Sequence, residues 1–285
     1  MSRDTALSLP SAWAQGHVEM PPQLRAPPSC NRNLTAVLAQ HKRFLQQTIL
    51  PHFPRVELCG AADYDACLRV WVESFTAGPP GAEGPGGNPM FRWIVADGAI
   101  SAQEEDRRFR AQLRYMLHFV NRVYKDRGAL LAVRDAGGAI VAAASVLPPG
   151  LSADAFTAAN FAAVGMPPTM RHRLSWGAAP CKKLNSLSAV DDAKKALRKE
   201  AGPCWYLLCL GVMPGCQGQG HGRDLLRAVC AAADAQGLPA HLECETEWHQ
   251  RLYGRYGFET VRRVDLSVKE DPVSVPQFLM LRQPK

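Results

Sequence analysis

The pattern of apolar positions changes near residue 54, which divides the chain into two parts. Residues 1–53 are rich in Pro, Ser and Gln, and their apolar residues show helical spacing only over 34–50, where Pro51 ends the pattern. From residue 54 onward, short apolar runs alternate with helical patterns. We therefore predict a partly ordered N-terminal extension over 1–53 and one domain over 54–285.

The first half of the domain shows a strand, two helices and a hairpin. Residues 56–59 form a short apolar run, and Asp63 can cap a following helix whose apolar face includes Trp71. Residues 78–89 are so rich in Gly and Pro that we predict a mobile loop there. A longer helix around 109–123 follows, and then two apolar runs, 129–133 and 139–147, are separated by a turn sequence typical of a hairpin.

The second half alternates strands and helices. Residues 151–200 have a helical and irregular pattern, and 204–212 is a continuous apolar run, which is typical of a strand buried on both faces. A helix is predicted over 219–236, a strand over 240–244, a helix through Tyr253, and strands near 258–264 and 277–281. This order predicts an α/β (α+β) domain with a mixed sheet.

Composition narrows the possible partners. The formal net charge is +7, but Lys and Arg are scattered, which favours a phosphate-bearing ligand or a solvated surface over nucleic acid. Nine cysteines without a C-x-x-C pair argue against a disulfide framework or a zinc site, so we predict no metal and a reducing, cytoplasmic location. No apolar run approaches the roughly 18 residues of a membrane span, so we predict no membrane partner.

The segment from Leu210 to Leu226 carries the clearest chemical signal. Its three glycines, Gly218, Gly220 and Gly222, lie between a buried strand and the start of a helix. Glycines there let the backbone turn sharply, so that N–H groups and the positive end of the helix can meet an anion. A pyrophosphate cradle fits this pattern, and a purely structural tight turn remains an alternative.

Two other nucleotide-binding motifs fail on spacing. A P-loop requires Lys and then Ser or Thr after its last glycine, whereas Arg223 and Asp224 follow Gly222. A dinucleotide-binding fold requires G-x-G-x-x-G, and the glycines here are separated by single residues. Neither motif explains the segment.

The segment resembles the Q/R-x-x-G-x-G/A signature of the GNAT superfamily of acyl-CoA-dependent N-acyltransferases. The resemblance extends to LGVMP before the signature and to LPAHLEC and RLYGRYGFETV after it, and thus covers residues 204–264. It implies a GNAT-like mixed, mostly antiparallel central sheet that is flanked by helices, with the fourth and fifth strands splayed apart. It also implies that acetyl-CoA is the acyl donor.

The resemblance assigns roles by position. The backbone N–H groups implied to hold the CoA pyrophosphate are those of Gln217, Gly218, Gln219, Gly220, His221 and Gly222. Arg223 is a candidate for a further phosphate contact. Leu210 and Val212 correspond to positions that pair with pantetheine, and a backbone N–H there would polarise the thioester carbonyl. Tyr253 matches the tyrosine that in many members protonates the departing CoA thiolate.

The general base is less clearly marked. Glu243 on the fifth strand is the first candidate and Glu245 the second, because alternation places both on one face of the strand. A water chain serves instead in other members of the family. His249 stands where an Asn often contacts the cofactor, so it could bind the cofactor, act as a base, or cap a helix.

These assignments predict transfer of an acetyl group from acetyl-CoA to a primary amine by direct attack on the thioester. A small-molecule acceptor is favoured, because no open charged groove for a protein tail is apparent, and its specificity should come from residues 78–100 and 150–200. The alternative is a non-catalytic acyl-CoA sensor with the same fold. An acyl-enzyme route through Cys209 or Cys216 ranks lower, since neither has an evident partner base.

Overall fold

A seven-stranded mixed sheet forms the centre of the described chain. The computed structural model describes residues 34–77, 86–124, 127–150, 160, 177–269 and 271–285. The strands lie in the order β1-β2-β3-β4-β5-β7-β6, and every neighbouring pair is antiparallel except β4–β5. Their bounds are β1 Glu57–Leu58, β2 Ala129–Arg134, β3 Ile140–Leu147, β4 Trp205–Val212, β5 Ala240–Cys244, β6 Glu259–Leu266 and β7 Val275–Arg282.

Helices cover both faces of the sheet. Their bounds are α1 Leu34–Phe44, α2 Tyr64–Ala77, α3 Pro89–Val95, α4 Ala102–Tyr124, α5 Ala178–Asn185, α6 Ser188–Ala201, α7 His221–Ala235 and α8 Glu247–Gly254. One core lies between the sheet and α7, and a second lies between the sheet and the helices α2 to α4. The predicted α/β (α+β) class with a mostly antiparallel sheet is confirmed. Among the described residues, no helix is both long and apolar enough to cross a membrane.

The apolar run at 204–212 is a strand because both of its faces are covered. Trp205 and Leu207 pack into the core beside α7, whereas Cys209 packs into the core on the other face. The adjacent strand β3 is buried along its whole length. A strand buried on both faces requires an apolar residue at nearly every position, as this sequence provides.

The N-terminal helix differs from its prediction over 34–50. Helix α1 ends at Phe44, and the chain continues as a single π-helical turn over Leu45–Ile49 and a 3₁₀ turn over Leu50–His52. Leu45, Ile49 and Leu50 are buried in the core beside α7. The division of the chain at residue 53 stays a prediction, and residues 1–33 lie outside the described residues.

The Gly/Pro-rich stretch ends in a helix that the sequence analysis did not predict. Residues 78–85 of the predicted loop lie outside the described residues, as do 151–159 and 161–176. The end of the stretch is ordered, because the Asn88 side chain accepts a hydrogen bond from the Phe91 N–H at 3.2 Å and Pro89 occupies the first turn of α3. Asn followed by Pro at a helix start was the available signal.

The strands β4 and β5 separate soon after they meet. Their parallel pairing is limited to Trp205 with Ala240 and Tyr206 with His241. On its other edge β4 stays paired with β3, with one irregularity that leaves Leu208 as an extra residue opposite β3. The predicted splay is confirmed, and it opens a gap between the two strands.

Candidate active site

A cavity of about 640 Å³ occupies this gap. It is lined by residues of β4 and β5, by the start of α7, by α8, and by side chains from α2, α3, α4 and α6. The cavity residues to which the sequence analysis gave a candidate role are Cys209, Leu210, Val212, Cys216, Gln217, Gly218, Gly220, His221, Gly222, Arg223, Glu243, Glu245, His249 and Tyr253. The splay therefore brings the glycine segment, the carboxylates and Tyr253 to one cavity.

The glycine segment has the geometry that the cradle hypothesis requires. Gly218 and Gly220 have φ angles of +78° and +84°, in the left-handed region where side chains are rare. A Cβ atom at Gly220 would lie 2.9 Å from Nη2 of Arg223. Helix α7 begins at His221, so the unpaired N–H groups of its first turn open toward the cavity.

A second arginine reaches the cradle from outside the motif. Arg55, which precedes β1, forms an ion pair with Asp224 and donates through Nη1 to the carbonyl oxygen of Gln219 at 3.5 Å. Arg223 also contacts Asp224, with Nε 3.3 Å from Oδ1. Gln219 does not line the cavity but supports the turn. Arg55 was missed because nothing in the local sequence links it to a segment 164 positions away.

The free edge of β4 points its N–H groups into the gap. The N–H of Met213 donates to Val141 on β3, so alternation directs the N–H groups of Leu210 and Val212 toward β5. The N–H of Val212 donates to the Ser74 hydroxyl at 3.3 Å, and Ser74 also lines the cavity. The Leu210 N–H therefore faces the gap, whereas the Val212 N–H already has Ser74 as its acceptor, and the pairing of this edge with pantetheine stays a prediction.

Glu243 and Glu245 both face the cavity. Cys244, which lies between them, points the opposite way and contacts Met280 in the core. Glu243 is held firmly, because its Oε1 accepts a hydrogen bond from the Tyr206 hydroxyl at 2.5 Å and one from Lys194 Nζ at 3.3 Å.

Lys194 also lines the cavity, although the sequence analysis did not name it. Its side chain is only 13% exposed, and Nζ lies 3.0 Å from Asp191 Oδ1 and 3.3 Å from Glu243 Oε1. Burial lowers the pKa of Lys194, but the two carboxylates outweigh burial, so the net pKa lies above its usual value. Lys194 therefore stays protonated. The i,i+3 spacing of Asp191 and Lys194 was the sequence signal that could have predicted their ion pair.

Glu245 has a different environment from Glu243. The pKa of Glu245 is raised to about 7. Burial is the largest cause, a hydrogen bond with the Asn88 side chain opposes it, and the nearby Glu243 carboxylate adds to it. At neutral pH this carboxyl group is therefore divided between its acid and base forms. A carboxylate tuned to the working pH suits general base catalysis better than one with its ordinary pKa.

Tyr253 and His249 lie together on α8. Burial raises the pKa of Tyr253 above its usual range, so its hydroxyl keeps its proton. Burial lowers the pKa of His249 to about 4, so its ring is neutral at pH 7. Thr246 caps α8 by accepting the His249 N–H at 3.1 Å, and it also contacts His249 Nδ1 at 2.7 Å. Thr246 is therefore the N-cap residue, and the His249 ring contacts this cap; its cofactor and base alternatives stay predictions.

The cysteine route finds little support at Cys209. This thiol is buried, and burial raises its pKa to about 12, which disfavours the thiolate that a nucleophile requires. Its sulfur accepts a hydrogen bond from Asn121 at 3.7 Å. Within the described residues, no group of three or more His, Cys, Asp or Glu side chains is arranged to hold a metal ion.

Comparison with known proteins identifies the part of the chain that contains this site. Residues 189–260 match the family model of the acetyltransferase (GNAT) domain. The chain carries a GNAT acetyltransferase domain. An uncharacterised N-acetyltransferase of Schizosaccharomyces pombe is 31% identical over 100 residues, which are 35% of this chain and 40% of the relative. The chain thus spans less than half the length of this curated relative.

Two solved structures illustrate the wider similarity. A histone acetyltransferase HPA2-related protein of Corynebacterium glutamicum is 21% identical over 81% of this chain and 96% of that protein, with a TM-score of 0.49. A polyamine N-acetyltransferase of Drosophila melanogaster is 16% identical over 80% of this chain and 98% of that enzyme, with a TM-score of 0.46. Similarity at this level says nothing about the substrate of this GNAT domain.

The matched region coincides with the elements that build the site. Residues 189–260 run from α6 through β4, α7, β5 and α8 into β6. They include the glycine segment, both candidate bases and Tyr253. Arg55, Ser74 and Asn88 lie outside the matched region, yet each contacts a group in the site.

Proposed function

We propose that this protein transfers an acetyl group from acetyl-CoA to the primary amine of a small molecule, by direct attack of the amine on the thioester. One observation carries the proposal: the glycine-rich start of α7 and the half-buried carboxylates Glu243 and Glu245 at the end of β5 open onto the same cavity. An anion cradle suits the CoA pyrophosphate, and carboxylates suit an amine.

The reaction needs two proton transfers. The amine nitrogen bonds to the thioester carbonyl carbon, the C–S bond breaks, and the CoA sulfur leaves as a thiolate that takes up a proton. We assign the removal of the amine proton to Glu245, whose pKa of about 7 lets it accept a proton at neutral pH. Glu243 ranked first from the sequence, but its hydrogen bonds to Tyr206 and Lys194 favour an orienting role.

Tyr253 is the proposed donor to the CoA thiolate. Its raised pKa keeps the hydroxyl protonated at every pH where the protein works, so the donor form is always present. The same raised pKa makes complete proton transfer less favourable. A thiolate needs little assistance to leave, so a hydrogen bond from the hydroxyl already lowers the barrier.

Binding of acetyl-CoA is the first property to test. At a hundred times its dissociation constant, a ligand adds about 2.7 kcal/mol to the free energy of unfolding. We expect acetyl-CoA to raise the melting temperature of the wild type and to leave that of Gly220→Glu unchanged. In this variant a side chain and a negative charge enter the cradle at a left-handed φ of +84°.

The matched control is Gly98→Glu, in the loop after α3, where a Cβ atom meets nothing within 4 Å. This variant should keep the full acetyl-CoA shift. A normal shift in Gly220→Glu would contradict the cradle assignment. Release of CoA thiol during incubation with primary amines then tests for turnover, and binding without any turnover would contradict the transferase proposal.

A further inference from the structure

The cavity has two ends with different chemistry. A Cβ atom on Gly222 would lie 3.2 Å from the Val212 side chain, which places the C-terminal end of β4 beside the cradle. Tyr206, which holds Glu243, is six residues earlier on β4. At about 3.3 Å per residue, the two ends lie roughly 20 Å apart. We call the part of the cavity around Tyr206 and Glu243 the acceptor end.

The wall near the acceptor end is largely apolar. Residues of α3, α4 and the start of α6 contribute apolar side chains to the lining, and Val120 packs against the cluster that contains Tyr206; these apolar residues are Met90, Met116, Val120, Leu187 and Val190. Val190 is 6% exposed and Met116 is 4% exposed, so both belong to the ordered interior. A ligand group placed against these side chains loses its water and gains few hydrogen bonds, which favours an apolar group.

The charges at this end favour a single cation. Lys194 already contacts both Asp191 and Glu243, at 3.0 Å and 3.3 Å. Two carboxylates therefore face one ammonium, which leaves one negative charge, and ionised Glu245 adds another. The second oxygen of Glu243, Oε2, is buried and has no hydrogen-bond partner within the described part of the chain. A buried acceptor without a donor is costly, so an N–H group from a ligand would relieve it.

We propose that the acceptor is a monoamine with an apolar body, with its amine between Glu243 and Glu245 and its body against the apolar wall. This inference rests on the proposed function and narrows its substrate class. A second ammonium on the body would enter an apolar region without a partner. A carboxylate on the body would meet a region of net negative charge, since Lys194 is already neutralised.

A matched set of six-carbon amines tests the proposal on the unmodified protein. Hexylamine, 1,6-diaminohexane and 6-aminohexanoate share one chain length and differ only in their second end. We expect kcat/KM, measured by CoA thiol release, to be at least tenfold higher for hexylamine than for either of the others. From propylamine to hexylamine it should rise by about fourfold per methylene, the effect of burying one such group.

A substitution in the wall gives an independent test. Val190→Asp places a carboxylate among the apolar side chains and should shift the preference from hexylamine toward 1,6-diaminohexane by at least tenfold. Asp192→Asn is the matched control on the same helix, because the Asp192 side chain is 77% exposed. An unchanged acetyl-CoA melting shift in both variants shows that they are folded.

The outcomes separate this inference from the proposed function. One outcome is that acetyl-CoA binds and amines are acetylated, but kcat/KM does not depend on the length of the amine or is higher for the diamine or the amino acid. The inference then fails, and the proposed transferase function is retained. If hexanoyl-CoA is used faster than acetyl-CoA while amine tails have no effect, the apolar wall holds the acyl chain and the inference also fails. If no amine is acetylated, both fail.

Discussion

The proposed base makes a specific prediction about pH. Glu245→Gln keeps the size of the side chain but removes its ability to accept a proton. We expect the variant to lose about 100-fold or more in kcat/KM at pH 8, which is typical for removal of a general base. The loss should shrink as the pH falls, because protonation progressively disables the base in the wild type.

The magnitude follows from the pKa of about 7. The carboxyl is active as a base only when ionised, and the ionised fraction is about one half at pH 7, about one tenth at pH 6 and about one hundredth at pH 5. The acceptor amine also titrates, but its contribution cancels in the ratio of wild-type to variant kcat/KM. That ratio should rise about tenfold per pH unit up to pH 7 and become constant above pH 8.

The assay is CoA thiol release from pH 5 to 9 for both proteins with one amine. Glu247→Gln is the matched control two residues away, because the Glu247 side chain is 78% exposed and pairs only loosely with Arg251, at 3.5 Å. The ratio of wild-type to Glu247→Gln kcat/KM should stay near one at every pH. A wild-type to Glu245→Gln ratio that is flat from pH 5 to 8 would refute the assignment of Glu245 as the base.

Three further substitutions test the neighbouring assignments. Tyr253→Phe should lower kcat by up to about 100-fold while the Kd for acetyl-CoA stays within twofold, as measured by steady-state kinetics and by titration; an unchanged kcat would remove Tyr253 from the acid role. Arg55→Gln removes a cation beside the cradle and should raise the KM for acetyl-CoA by at most about fivefold, because exposed ion pairs contribute about 1 kcal/mol or less; a larger change in kcat than in KM would contradict a role in donor binding. Asp234→Ala leaves Arg282, which is 4% exposed, without its carboxylate partner. It should lower the free energy of unfolding by about 3–5 kcal/mol in denaturant titrations. A loss under 1 kcal/mol would show that this ion pair is not needed for stability.

The geometry of the glycine segment could be predicted from sequence because its signals are local. A left-handed turn at Gly218 and Gly220, a helix start at His221 and a buried strand ending at Val212 occupy one continuous segment. Each of these features depends on residues within a few positions of one another. The succession of strands and helices along the chain followed from the alternation of apolar periods, whereas the order of the strands in the sheet was not predicted.

At the acceptor end, Glu243 and Glu245 could be named from the sequence, but their partners could not, because these contacts join distant parts of the chain. Lys194 reaches Glu243 across 49 positions, and Tyr206 reaches it across 37. In the sequence, Lys194 stands in a basic stretch that resembles any solvated helix face. Its ammonium is buried only because the fold brings α6 to Glu243, and burial is likewise what raises the pKa of Glu245.

Ionisation of Glu245, which the proposed base role requires, also costs stability. Its pKa is higher in the folded protein than in the unfolded chain, so its contribution to folding is complete below the usual pKa of 4.5 and is lost as the pH rises through about 7. The shift corresponds to at most about 3 kcal/mol, because local relaxation reduces such costs. A cationic amine that enters beside the ionised carboxylate offsets this cost, and transfer of the proton to Glu245 then produces both the nucleophile and the more stable neutral acid. The unfavourable burial of ionised Glu245 would thus favour the same proton transfer that the proposed reaction requires.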